Sequence, residues 1–112
     1  MIKHVVMWKF KPGKEVEMKR FLDALESLRG QIDVIRSMEI GVNSCGKDNC
    51  DAVLIMTFDS FEDLETYKND PRHVAASSLC KEIREARHAV DFEIWFCHTN
   101  PPMPAVSGAA DG

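Results

Sequence analysis

The segment "AVLIMTF", residues 52–58, constrains this chain more than any other. It is apolar at nearly every position, and turn formers precede it ("SCGKDNCD"), so it reads as a strand covered on both faces in the middle of a sheet. The stretch "IKHVVMWKF", 2–10, also reads as a strand with apolar character on both faces. Alternation puts Ile2, His4, Val6, Trp8 and Phe10 on one face, and Val5 and Met7 with two lysines on the other.

The remaining elements fall around these two. Pro12 and Gly13 end the first strand, and Val16, Phe21, Leu22, Leu25 and Leu28 recur at helical spacing, predicting a helix over 14–30 with Gly30 as its stop. "VIRSMEIGVN", 34–43, alternates as a strand that a hairpin loop joins to 52–58. Ser60 and Asp63 form an S-x-x-D cap for a short helix carrying Phe61, Leu64 and Tyr67. Asp70-Pro71 starts another, expected to reach about Arg87 with Val74, Leu79, Ile83 and Ala86 as its buried stripe. "AVDFEIWFC", 89–97, is the last strand, with Val90, Phe92, Ile94 and Phe96 on one face and Trp95 and Cys97 on the other. Residues 98–112, rich in Pro, Gly, Ala and Ser, are expected to be a flexible tail or an arm on a neighbour.

The order β-α-β-β-α-β, with the second helix in two pieces, predicts an α+β, ferredoxin-like domain over 1–97 with an antiparallel four-stranded sheet. Right-handed crossovers place the helices on one face. The other face keeps Val5, Met7, Trp95 and part of 52–58, which a second copy packed sheet to sheet would cover. A homodimer is therefore expected.

Composition narrows the partners. A formal charge of −4 with 29% charged residues offers no basic surface for nucleic acid, and no apolar run is long enough to cross a membrane. Without a signal-peptide pattern, a cytoplasmic location is the expectation, with the four cysteines as thiols. Cys45 and Cys50 form a C-x4-C pair in the hairpin loop but have no nearby partners to complete a zinc site, so no metal is expected. Phosphate-binding glycine loops, serine elbows and c-type haem motifs are absent, and no cofactor is expected.

Four stretches, "IKHVVMWKFK", "EIGVN", "FDSFEDLETYKNDPRHV" and "VDFE", together resemble the stress-responsive dimeric α/β-barrel (Dabb) family over about 1–97. The resemblance implies a ferredoxin-like subunit whose sheet pairs with a partner's in a dimeric α/β barrel. One plant branch of that family, the olivetolic acid cyclases, closes a polyketide by intramolecular aldol condensation. It uses a tyrosine and a histidine six positions apart, with a first-strand histidine in the same pocket. Tyr67, His73 and His4 fit those places, whereas Asp70 stands where the family's His-Pro-x-His motif often has its first histidine.

Aldol closure needs a base to remove a proton beside a carbonyl and a donor to hold the enolate. His73 is the candidate base, Tyr67 the candidate donor, and His4 a polar group orienting substrate or water. His4, Val6, Trp8, Leu54 and Met56 are the expected ligand-binding residues of a pocket between sheet and helices, suited to a small apolar or aromatic metabolite. The same tyrosine and histidine also fit a filled core, the ring packed and the imidazole bonded to a backbone carbonyl. Binding without turnover, cyclase-like catalysis and, by fold analogy, cofactor-free monooxygenase activity are the open functions.

Overall fold

The computed structural model describes residues 1–94. Strands β1 (Ile2–Phe10), β2 (Ser37–Val42), β3 (Ala52–Phe58) and β4 (Arg84–Glu93) alternate with helices α1 (Glu15–Glu26), α2 (Phe61–Asn69) and α3 (Pro71–Lys81). All strand pairs are antiparallel, in the order β2-β3-β1-β4, so the strand over 52–58 holds the centre as expected, and β1 shares it. The fold is ferredoxin-like α+β. The tail over 98–112, and Trp95, Phe96 and Cys97 of the expected last strand, lie outside the described residues.

Local chemistry sets the helix ends around the α2–α3 junction. The Ser60 hydroxyl accepts from the Asp63 N–H at 3.1 Å, and the Asp70 carboxylate accepts from the Arg72 N–H at 2.8 Å, with Pro71 opening α3 where a missing N–H costs nothing. Arg72 also grips the Asp70 carboxylate by its guanidinium, holding that carboxyl down at about 2.

Three expectations are corrected. First, α1 ends at Glu26, not Gly30: the chain tightens into three-residue turns, Leu28 N–H to Leu25 O and Arg29 N–H to Glu26 O, before Gly30 takes a positive φ of 82°. Leu28 stays buried in that turn, while Val16 is exposed. Second, α3 stops at Lys81 and buries Ala76 and Cys80 rather than Val74 and Leu79, which face water. Helix formers in "EIREAR" give way because β4 can pair with the whole of β1, from Arg84 opposite Phe10 to Glu93 opposite Ile2. Third, β4 shows the opposite face from the one expected. Val90 lies opposite Val5 and Phe92 opposite Lys3, on the side away from the helices, so that Arg87, Ala89 and Asp91 take the helix side.

One core joins the even face of β1 and β3 to α1, α2 and α3, with Trp8, Phe10 and Phe21 packed edge to face or stacked at centroid distances of 5.1–6.4 Å. The other face carries Val5 between Ile55 and Val90, and Met7 between Val53 and His88. Met7, Val90 and Phe92 are 40%, 53% and 40% exposed there, which is the apolar face the alternation of β1 foretells.

Candidate functional site

The junction between α2 and α3 places Tyr67 in the last turn of one helix and His73 in the first turn of the next, both directed at β1. Their ring centroids are 4.3 Å apart, and the His4 ring stands 6.2 Å from Tyr67. The three meet at a cavity of about 220 Å³ whose apolar walls include Val6, Trp8 and Leu54 from the sheet and Phe21 and Leu25 from α1. A groove of about 930 Å³ at the hairpin end is larger, but its chemistry is already engaged. Lys9 donates to the carbonyls of Lys47 and Asn49, and Lys11 to that of Glu82, so those charges hold loops.

Hydrogen bonding determines what each polar group offers the cavity. The Tyr67 side chain is 1% exposed, and its hydroxyl finds no partner among the described residues. His73 Nδ1 lies 3.0 Å from the Lys68 carbonyl, which can only accept, so the neutral ring carries its proton there and leaves Nε2 as an acceptor. His4 Nδ1 bonds the Asp91 carboxylate, whose other oxygen is 3.5 Å from Lys68 Nζ. An ionised carboxylate also only accepts, so neutral His4 likewise keeps Nε2 unprotonated.

The electrostatics favour neutral imidazoles. Burial lowers the His4 pKa below its ordinary value, outweighing the hydrogen bond and charge of Asp91 that act to raise it. Burial also lowers His73, helped by the charges of His4 and Arg87. Burial pushes the Tyr67 hydroxyl well above its ordinary value, so it remains a donor. At Asp91 burial acts upward, but the His4 and Lys68 contacts prevail and the carboxyl stays below the usual range. The arrangement thus offers two acceptor nitrogens and one unspent hydroxyl donor at a cavity that is apolar on the side of β1, β3 and α1 and polar on the side of α3 and β4.

His4, Val6, Trp8, Leu54, Tyr67 and His73 all line this cavity. Met56 does not: it is fully buried opposite Met38 and His4 in the sheet, one pair further along β3 than Leu54, and belongs to the core. Asp91 is the residue the sequence reading missed, together with Lys81, Arg84 and Arg87 at the same cavity. Asp91 sits opposite His4 only through the β1–β4 register, a pairing between residues 87 positions apart with no local signal. Cys80, at the cavity, is buried as a small apolar group, whereas Cys45 is exposed in the hairpin loop, and both are free thiols. Among the described residues no group of His, Cys, Asp and Glu could hold a metal ion.

Comparison with known proteins agrees with this architecture. A family model described as the stress responsive A/B barrel domain matches residues 2–94. A ferredoxin-like protein of unknown function from Bacteroides fragilis, described as dimeric, is 35% identical, covering 83% of this chain and 95% of its own at a TM-score of 0.77. A Dabb family protein from Mesorhizobium loti is 22% identical over 84% of this chain and 96% of its own, with a TM-score of 0.70. The hydroxynitrile lyase of Passiflora edulis shares the fold at 13% identity and a TM-score of 0.75, covering 86% and 94% of the two chains. No curated protein matches the chain by sequence. With the model match spanning nearly all the described residues, this chain belongs to the stress-responsive A/B barrel (Dabb) domain family.

Proposed function

We propose that the protein is a small homodimer that binds a small apolar or aromatic metabolite in the cavity between sheet and helices. The observation that carries the reading is the convergence of His4, Tyr67 and His73 on one cavity with an apolar side, with the Tyr67 hydroxyl buried and unpartnered among the described residues. A buried hydroxyl left without a bond costs about 1–3 kcal/mol, a penalty that a ligand's carbonyl or hydroxyl oxygen would relieve. By volume alone, about 220 Å³ has room for one substituted ring, benzene being held by a cavity of about 150 Å³.

For the dimer, the apolar side of the sheet supports sheet-to-sheet packing, and the Bacteroides fragilis relative is described as dimeric. Sedimentation at micromolar concentration should give twice the chain mass; a stable monomer would refute this part.

A second reading, enzymatic proton transfer, is favoured by the His4–Asp91 pair. A carboxylate that fixes a histidine's tautomer is how general bases are commonly oriented, which moves the role of base from His73 to His4. His4 Nε2 would take a proton beside a carbonyl, Tyr67 would donate to the developing oxyanion, and His73 would face the same substrate with its Nε2. Olivetolic acid cyclase-like aldol closure has this form. With a cyanohydrin, by analogy with the hydroxynitrile lyase of Passiflora edulis, His4 Nε2 would instead take the hydroxyl proton as the carbonyl forms and the carbon–cyanide bond breaks, and the imidazolium would return that proton to the departing cyanide. With β-polyketide-like and cyanohydrin substrates, His4→Ala and Tyr67→Phe should each remove turnover, and Asp91→Asn should reduce kcat by about 10–100-fold through loss of orientation alone. Absence of turnover in the unaltered protein returns the site to binding. Cofactor-free monooxygenase activity remains a third reading, supported by fold likeness alone.

A further inference from the structure

The cavity that holds the two histidines and the tyrosine is cationic in a chain that is otherwise acidic. Lys81, at the end of α3, and Arg84 and Arg87, on the helix side of β4, line it, and no carboxylate does. The whole chain carries a formal charge of −4. Among the described residues none of these three cations has a carboxylate within ion-pair distance, although Lys19, Arg29, Arg36, Lys68 and Arg72 each have one. Arg87 lies opposite Trp8 on the cavity side of β4, so its charge belongs to the same cavity as His4, Tyr67 and His73. Arg84 is half-buried and Arg87 exposed, so both guanidinium groups are accessible to an anion entering the cavity from solution. Asp91 is not their counter-ion: its ion-pair contacts run to His4 and Lys68.

Resting on the reading of this cavity as a ligand site, we infer that its ligand is a small organic anion: one ring-sized apolar body with a carboxylate or phosphate group held by Arg84 and Arg87. The apolar body lies against Val6, Trp8 and Leu54, and the anionic group meets the arginine forks, whose planar donors match either oxyanion. Lys81 adds a point charge at the mouth. A ligand oxygen on the ring is then within the reach of the Tyr67 hydroxyl.

The test compares benzoate, phenyl phosphate and neutral benzamide as probes of the full-length protein, by calorimetry and by NMR. Benzoate or phenyl phosphate should bind at least tenfold tighter than benzamide at low salt, with an advantage that shrinks as salt rises. Whichever anion binds tighter identifies the head group. Arg84→Gln with Arg87→Gln should erase the advantage, and Arg84→Lys with Arg87→Lys, which keeps the charges but not the planar forks, should retain only part of it. Benzamide binding as tightly as the anions would overturn the inference while leaving the ligand site intact. Failure of all three probes at millimolar concentration would overturn the site and the inference together. If the glutamine variant does not fold, the benzoate-to-benzamide ratio of the unaltered protein and its salt dependence still decide.

Discussion

Leu54 and Ile55 are neighbours in β3 and meet opposite fates. Leu54 is 2% exposed, lodged under the helices at the wall of the cavity, whereas Ile55 lies on the bare side of the sheet between Glu39 and Val5. Both are apolar and both sit in a central strand, so hydrophobicity alone does not separate them. What differs is who supplies the cover. The Leu54 side is closed by the chain's own helices and spends part of its area on polar groups that aim inward. The Ile55 side sets Val5, Met7, Val90 and Phe92 among Lys3, Glu39 and His88, and is suited to a second copy. On the proposed function, one face would carry the chemistry and the other the assembly.

The largest effect expected from breaking this contrast is on association. Ile55→Glu puts a charge in the middle of the apolar face and should weaken the dimer by a hundredfold or more in sedimentation, since an unpaired buried charge costs several kcal/mol. Leu54→Ala should instead lower unfolding free energy by about 2–5 kcal/mol with the dimer retained after allowance for stability, because it opens a cavity in the core. If the two variants exchange these phenotypes, the faces have been assigned the wrong way round.

Acidity gives a smaller effect confined to the helix-covered side. His4 and His73 have folded pKa values below the ordinary 6.5, so the unfolded chain takes up protons first as pH falls. Their contribution to stability is complete above about 6.5 and is lost as pH falls through their depressed folded values. The melting temperature should drop from pH 7 to pH 5, and His4→Gln with His73→Gln should flatten that slope. Smallest is Tyr67→Phe. Removing a buried hydroxyl that lacks a partner should leave stability unchanged or raise it by up to about 1 kcal/mol, while ligand affinity falls. A loss of stability above 1 kcal/mol would mean that the hydroxyl is satisfied in the protein and serves the core.

Much of this contrast is readable in the sequence because it is written in short periods. The alternation of 2–10 and the unbroken apolarity of 52–58 identify strands β1 and β3 and both faces of the sheet, and Asp70-Pro71 marks the helix junction that brings Tyr67 and His73 together. The fold fails to be legible where pairing outranks propensity. Residues 82–87 have helix-forming composition, yet from Arg84 on they become strand because β1 offers a full-length edge. That early start also turns Val90 and Phe92 to the bare face and Asp91 to His4. For the same reason the cations at the cavity and the carboxylate behind His4 escape a local reading: they are set by cross-strand register, not by spacing along the chain.

The central claim, that the helix-covered face holds a ligand site and the other face does not, is tested most directly by the imidazole NMR signals. Titration with benzoate and with benzamide should shift the His4 and His73 resonances, which report the cavity, and leave His88, opposite Met7 on the bare face, where it was. Shifts at His88 with His4 and His73 unmoved would contradict the account.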